Sequence, residues 1–352
     1  MTWILWTVLA LSAAVLIVGL ILLLYIRRKL FHRRYDGNKN LKYYSAADFN
    51  GLRVKYYTFS SVYGVAMKGY LYSRGSVPEG LILFAHGFGA GHDAYTTEIN
   101  TLTEAGFWVF TYDCPACGKS DGEKMRGFEE GPLAVRAAVE YISRSEELSC
   151  LPLILAGHSW GGFSVMNAAA QCSDRICGVL SMCGFLSGAG IAAQFISEKL
   201  HSMYYVFKPI LRFYNWIRVG GRVNFDSRKS LDRVKVPVCL LYGESDAVVS
   251  YRYNGGKMEK WAKGRKNVSF YKWRQKGHNV YLCDDAEKYM NDTFAEISRA
   301  YKQKKEVAPL YEAIDYNRMT REDPQVMKIV VDFCKNAVRT ELKDRANPEA
   351  VK

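Results

Sequence analysis

The chain has 352 residues, 49% of them hydrophobic, and no internal repeat or low-complexity tract, which fits one large globular domain and excludes repeat architectures. The formal net charge is +13, a value that suits nucleic acid, yet no nucleic-acid-binding motif accompanies it. We therefore expect no nucleic-acid partner and attribute the charge to attraction toward an anionic membrane surface. The nine cysteines form an odd number, and several lie in apolar runs, as reduced buried thiols do.

The N-terminal segment is apolar. Residues 3–26 carry no charged side chain over 24 positions, enough at about 1.5 Å per residue to cross a bilayer core of about 30 Å. A cleaved signal peptide begins with positive charge, whereas here five basic residues follow the apolar run, between positions 27 and 34. The sequence predicts a single-pass transmembrane anchor over residues 1–26 and a basic juxtamembrane linker over 27–50. The positive-inside rule then places the rest of the chain in the cytoplasm.

From residue 51 onward, apolar strand-like runs alternate with helical patterns, which predicts a mostly parallel sheet with helices on both faces. The run 81–85 is such a strand, and a glycine-rich loop, His86 to Gly91, follows it. A loop of this kind can point backbone N–H groups at a reacting oxygen.

The loop after the next strand contains two misleading patterns. Cys114 and Cys117 form a C-x-x-C pair, but no helix pattern opens there and no second pair completes a zinc site. The run 118–120 resembles the end of a phosphate-binding loop, but Asp113 stands where that motif requires glycine. We therefore expect neither a metal nor a nucleotide at this loop.

The segment 157–161 reads Gly-His-Ser-Trp-Gly, a G-x-S-x-G pattern. An apolar strand-like run precedes it and a helix-forming stretch follows it, which is the setting of a nucleophile elbow. Ser159 is then held in a strained turn that exposes its hydroxyl. The expected oxyanion-hole donors are the N–H groups of Trp160 and, from the glycine-rich loop, Phe88.

A serine nucleophile needs a base and an acid that orients it. Of the six histidines, His86 and His92 belong to the glycine-rich loop and His158 should point away from Ser159. His278 remains, in a loop after a strand-like run from which a base can reach the elbow. Asp246 follows the apolar run 236–242, with Glu244 as its nearest rival. The chain order Ser, Asp, His is that of α/β hydrolases.

The strand pattern is interrupted over residues 185–230. Apolar residues recur there at helical spacing, which predicts a helical cap, and basic residues outnumber acidic ones. The face consists of Met203, Val206, Phe207, Ile210, Leu211, Tyr214 and Ile217. It either packs on the domain or lines an acyl pocket. Residues 303–352 show a further helical pattern, expected to pack outside the main domain of residues 51–302.

Together these motifs resemble the α/β-hydrolase superfamily, and more narrowly its serine aminopeptidase S33 and monoacylglycerol-lipase-like branch, over roughly residues 55–302. The resemblance implies an α/β-hydrolase fold with a cap insertion. One departure is the stretch 113–120, where the family's Arg-Gly pair is replaced by Pro115-Ala116.

The leading functional interpretation is a membrane-anchored serine hydrolase. It would cleave lipid-like carboxylic esters, such as monoacylglycerols or lysophospholipids, without cofactor or metal. The acyl-enzyme would form on Ser159, with His278 as the base and Asp246 as the acid that orients it. One alternative is an aminopeptidase on the same triad, which needs lid carboxylates for the substrate ammonium group, and only Glu198 and Asp226 are available there. Another is a non-catalytic, membrane-tethered binding protein.

Overall fold

A computed structural model describes residues 2–75, 77–197, 205, 207–213 and 225–347. Its strands form one sheet in the order β1-β2-β4-β3-β5-β6-β7-β8. Their bounds are β1 Arg53–Ser60, β2 Ala66–Ser73, β3 Leu81–Ala85, β4 Trp108–Tyr112, β5 Leu153–His158, β6 Ile176–Met182, β7 Val238–Gly243 and β8 Val268–Trp273. β2 pairs antiparallel with β1 and β4, and every other pairing is parallel. The predicted mostly parallel sheet is confirmed.

Helices form much of the rest of the chain that the structure describes. They are α1 Thr2–Phe31, α2 Thr96–Glu104, α3 Glu130–Arg144, α4 Trp160–Ala168, α5 Gly188–Ile196, α6 Ser227–Leu231, α7 Gly255–Ala262, α8 Asp284–Lys302, α9 Ala308–Glu312, α10 Tyr316–Met319 and α11 Pro324–Ala346. Short 3₁₀ turns occur at Ala46–Asp48, His92–Tyr95 and Ala169–Gln171.

Both faces of the sheet are covered, because successive strand residues point to opposite sides. In β5, Leu153 and Leu155 join the core under α3 and α4, whereas Ile154 joins the core under α2 and α11. The C-terminal segment therefore adds a layer to the domain: α11 buries Val330 and Cys334 against the sheet.

The predicted cap falls between β6 and β7 and contains α5, helical residues 207–213 and α6. Leu211 is buried in a small cluster with Ala193 and Tyr253, and Phe207 packs against that cluster. Phe213, in contrast, is 63% exposed. Met203, Val206, Tyr214, Ile217 and Glu198 lie outside the described residues.

The segment predicted as an anchor, residues 3–26, lies within α1. Within the part of the chain that the structure describes, no helix combines the length and hydropathy that a membrane crossing requires. The end of α1 is docked on the domain: the Phe31 ring contacts the rings of Phe88 and Phe128, at centroid distances of 5.8 and 5.0 Å. Arg34 then donates hydrogen bonds to the carbonyls of Gly118 and Ser120, so this part of the linker lies against the domain.

Candidate active site

Ser159 lies between the last residue of β5 and the first residue of α4, in the sharp turn that the sequence predicts. Its backbone has φ 57° and ψ −115°, a conformation that L-residues rarely adopt. Gly157 and Gly161 permit this turn, since a Cβ on Gly157 would meet the backbone of Gly161, and one on Gly161 would overlap the Ala85 carbonyl. The two glycines therefore let the helix pass close to the strand.

A continuous hydrogen-bond chain joins three side chains from three separate loops. His278 Nε2 lies 2.9 Å from Ser159 Oγ, and His278 Nδ1 lies 2.8 Å from Asp246 Oδ2. The Asp246 carboxylate is an acceptor, so Nδ1 carries the proton and Nε2 accepts from the serine hydroxyl. The carboxylate is nearly fully buried, whereas the imidazole is 15% exposed. The structure thus brings together the predicted nucleophile, base and acid.

Asp246 is fixed by its own loop. Its Oδ1 accepts hydrogen bonds from the backbone N–H groups of Val248 and Val249, at 2.8 and 2.7 Å, which leaves Oδ2 for His278. Glu244, the rival acid, turns away and forms an ion pair with Lys272 at 2.9 Å. Since Glu244 is committed to a lysine, Asp246 is the acid that contacts the imidazole.

The loop that carries His278 is held by Glu287 in the first turn of α8. One Glu287 oxygen accepts from the N–H of Gly277 at 2.9 Å, and the other accepts from the N–H of Asn279 at 2.8 Å. The carboxylate thereby binds the residues on both sides of the histidine. Lys276 supports the same loop through the Leu282 carbonyl, at 2.7 Å, and an ion pair with Asp323. The sequence analysis did not identify Glu287, although an acidic residue in the turn after a base loop is a detectable signal.

His158 lies behind the base. Its Nε2 is 2.9 Å from the His278 backbone carbonyl, and its Nδ1 is 2.9 Å from the Tyr95 hydroxyl. Burial, followed by the neighbouring His278, lowers the pKa of His158 to about 3, so the ring is neutral. A carbonyl only accepts, so Nε2 carries the proton, Tyr95 donates to Nδ1, and Tyr95 accepts from Gly87 N–H at 3.0 Å. Both ring nitrogens of His158 thus bond to groups other than Ser159, in line with the expectation that its side chain points away from the serine.

The glycine-rich loop after β3 lies beside the nucleophile. A Cβ placed on Gly87 would lie 3.7 Å from Ser159 Cβ, and the Phe88 ring packs edge-on against Trp160 at 5.7 Å. His86 ties this loop to the next one, since its Nε2 accepts from Cys114 N–H at 3.1 Å. Phe88 and Trp160, the expected oxyanion donors, therefore lie on adjoining elements next to Ser159.

Asp113 and the two cysteines of its loop form a buried support. Asp113 accepts hydrogen bonds from His92, Tyr70 and the Lys119 N–H. Cys114 and Cys117 are free thiols in the core, and burial raises the pKa of both. A raised thiol pKa disfavours the thiolate that redox or metal chemistry requires.

One group of side chains within the described residues could hold a metal ion. Ligand atoms of Cys183, Asp246 and His278 lie within 4.8 Å of one another. Two of these residues already make the hydrogen bonds that connect to Ser159, so a metal would compete with that chain.

The sheet order and the flanking helices are those of the α/β-hydrolase fold. Residues 76–229 match a family model described as serine aminopeptidase, S33. The esterase Pf2001 of Pyrococcus furiosus superposes with a TM-score of 0.54 at 16% identity, covering 77% of this chain and 98% of that chain, a likeness of fold alone. Residues 76–229 are thus similar to the S33 family, and the resemblance inferred from the motifs is confirmed.

The sequence relatives match shorter parts of the chain. A bifunctional esterase/perhydrolase of Acinetobacter calcoaceticus is 24% identical over 237 residues, covering 54% of this chain and 83% of the relative. The monoglyceride lipase of Homo sapiens is 29% identical over 104 residues, covering 29% and 34% of the two chains. The chain spans only 41% to 56% of the length of four other curated relatives, which are uncharacterized enterobacterial proteins.

Proposed function

We propose that the protein is a serine hydrolase that cleaves carboxylic esters through an acyl-enzyme. The observation that carries this proposal is the hydrogen-bond chain from Ser159 through His278 to Asp246. Ser159 Oγ attacks the ester carbonyl carbon while its proton passes to His278 Nε2. The tetrahedral intermediate expels the alcohol, which takes that proton, and leaves an acyl ester on Ser159. Water then repeats the sequence, releasing the carboxylic acid and restoring the serine.

The backbone N–H groups of Phe88 and Trp160 are the proposed oxyanion donors in both steps. Donors of this kind stabilise charge that develops only in the transition state, and losing one costs about 100- to 1000-fold in rate. The bonds from Gly87 to Tyr95 and from His86 to Cys114 support the role of Phe88, because they fix the two residues that precede this donor.

A lipid-like ester is the proposed substrate class. In the cap, Phe195 and Phe213 expose large apolar surfaces, and the relatives include a protein named monoglyceride lipase. The test is to assay the domain against p-nitrophenyl esters of graded chain length beside aminoacyl-naphthylamides. We expect ester turnover that rises with acyl length. Exclusive turnover of the amides would reject the ester assignment.

An aminopeptidase on the same triad is the second candidate, since the matching family model carries that description. Such an enzyme needs a free carboxylate for the substrate ammonium group. Asp226 is engaged, because it accepts from Arg228 N–H at 3.2 Å and pairs with the Arg228 side chain. Release of N-terminal amino acids from peptides, lost in Glu198→Ala, would favour this candidate over the esterase.

A non-catalytic binding role is distinguished by a fluorophosphonate probe, which reacts only with an activated serine. Labelling of the wild type, but not of Ser159→Ala, supports the hydrolase. A folded wild type that resists labelling would falsify it.

Attachment to a bilayer is a separate proposal that rests on the uncharged run 3–26 and the basic residues that follow it. Trp3, Trp6 and Ile21 expose more than half of their surface, which supports an apolar environment around α1. With the five basic residues on its C-terminal side, the domain faces the cytoplasm.

A further inference from the structure

A second cleft, of about 530 Å³, opens on the α2 and α11 side of the sheet, away from Ser159. We call it the tyrosine cleft; its lining includes Tyr43, Tyr44, Tyr56, Tyr57, Tyr70, Tyr72, His92, Asp93, Lys68 and Lys119. β2, which forms its floor, is separated from β5 by β4 and β3. At about 4.8 Å per strand spacing, the floor lies about 14 Å from the strand that carries Ser159.

The floor is set by strand register. Tyr56 pairs with Tyr70, Thr58 with Lys68 and Val54 with Tyr72, so these side chains share one face of β1 and β2. Residues two apart on a strand are about 7 Å apart, which places Lys68 about 14 Å from Tyr72 along β2. The floor therefore runs from a lysine at one end to tyrosines at the other.

One wall is rigid. The His92 ring stacks on Tyr70 with centroids 3.4 Å apart, and its Nδ1 bonds Asp113 at 2.9 Å. The next residue, Asp93, lines the cleft together with Tyr72 and Tyr43. Burial raises the pKa of Tyr72, and the nearby charge of Asp93 raises it further. Among the described residues no basic side chain forms an ion pair with Asp93, and burial raises its own pKa.

The opposite end is basic. Lys68 Nζ donates to Thr58 Oγ1 at 3.1 Å, so its ammonium stays over β1. Lys119 reaches the same end, because its N–H bonds Asp113 and the next residue, Ser120, accepts from the Lys68 N–H at 2.8 Å. The cleft thus has a carboxylate among aromatic rings at one end and two ammonium groups at the other.

We infer that the tyrosine cleft binds a small zwitterion of the phosphocholine type, with its ammonium group among the tyrosines beside Asp93 and its anionic group against Lys68 and Lys119. Aromatic faces attract organic cations, and a carboxylate that lacks an ion pair adds charge complementarity. The two lysines would repel a simple cation, and Asp93 would repel a simple anion, so neither kind of ion complements both ends of the cleft. This inference does not depend on ester hydrolysis.

The test is to titrate the full chain, in detergent, with phosphocholine, choline or inorganic phosphate in separate experiments. Calorimetry measures the affinity for each compound. We expect phosphocholine to bind more tightly than either fragment. Asp93→Asn and Lys68→Gln should each weaken it about tenfold, the loss typical of one charged contact. Tyr56→Ala, a change at a side chain that is 72% exposed and so does not threaten folding, should also weaken it. Asp174→Asn, at a residue that lines no part of the cleft, is the matched control.

The source of the ligand is distinguished by comparing free phosphocholine with phosphatidylcholine vesicles. Vesicle binding that drops in Asp93→Asn identifies a lipid headgroup, whereas binding of the free compound alone identifies a soluble ligand. Equal affinities for phosphate and phosphocholine, or an Asp93→Asn variant of normal melting temperature that binds as the wild type does, would overturn the inference. Unchanged hydrolysis in these variants separates this result from the proposed activity.

Discussion

The His158 imidazole donates a hydrogen bond to the backbone carbonyl of His278, at 2.9 Å, although the two residues are 120 positions apart. The residue before the proposed nucleophile thus holds the residue proposed as its base. Tyr95 extends the connection to Gly87, so the candidate oxyanion loop and the base share one buried set of hydrogen bonds.

This connection predicts that His158→Leu and Tyr95→Phe lower kcat about 10- to 100-fold while KM stays nearly constant, because misplacing a catalytic group by a fraction of an ångström is costly. Steady-state kinetics on a soluble ester measures both constants. Because the pKa of His158 is about 3, its titration should add no step to the pH–rate profile between pH 5 and 9. Unchanged kcat in both variants would show that the hydrogen bonds do not position the base.

The triad predicts a pattern across single and double variants. Ser159→Ala and His278→Ala should each remove nearly all turnover, and the double variant should be no worse, because the two residues act as a unit. Asp246→Asn should cost about 10⁴-fold in kcat, since it removes the charge that stabilises the imidazolium. Glu244→Gln is the matched control and should remain near the wild-type rate. The opposite ranking of Asp246→Asn and Glu244→Gln would show that the acid is misassigned.

Glu287 should influence His278 without contacting its side chain, because it binds the residues on both sides of the histidine. Glu287→Gln exchanges one acceptor oxygen for an NH₂ group that faces a backbone N–H, so the loop around His278 should shift. We expect kcat to fall about tenfold with a modest loss of melting temperature. Glu296→Ala, at an exposed position on the same helix, controls for the change of charge. Equal kinetics in the two variants would limit Glu287 to a role in folding.

Much of this arrangement follows from sequence. The strand before Ser159, the glycines around it and the chain order of Ser, Asp and His are local patterns, and they point to three side chains that the structure brings together. The support around them is not local. The bond from His158 to His278 and the grip of Glu287 on the base loop depend on tertiary packing, which no periodicity reveals. Asp246 and Glu244 are two positions apart in the same loop. Glu244 turns away because it pairs with Lys272, and Lys272 lies on another strand, so this contact is not visible in the local sequence.

A buried carboxyl pair predicts the pH dependence of stability. Burial raises the pKa of Glu322 to about 7 and also raises that of Glu98. Such an acid has a higher pKa in the folded state than in the unfolded chain, where its pKa is near 4.5. With respect to this pair, the folded state is therefore most stable below pH 4.5 and loses stability as the pH rises to about 7, because the unfolded chain releases the proton first. Glu322→Gln should therefore flatten the fall in melting temperature between pH 5 and 7. Glu296→Gln, at an exposed position on α8, should keep the wild-type slope; equal slopes in both variants would exclude the pair as the cause.

The proposed orientation in the membrane rests on charge alone and can be tested apart from catalysis. Five basic residues follow the run 3–26, so the N-terminal end of this run should face outward and the domain inward. Protease protection and cysteine labelling in intact cells measure this directly. Digestion of the domain from outside, without permeabilisation, would show that the orientation is the opposite of the proposed one. The proposed triad would be unaffected by that result.

Replacing the five basic residues that follow the apolar run with neutral ones should produce mixed orientations, because the bias that sets the direction would be lost. The five are Arg27, Arg28, Lys29, Arg33 and Arg34. Arg34 also binds the carbonyls of Gly118 and Ser120, so a variant that keeps Arg34 and neutralises the other four separates the charge effect from a loosened domain contact. A single unchanged orientation in both variants would mean that another feature of the chain decides which side the domain occupies.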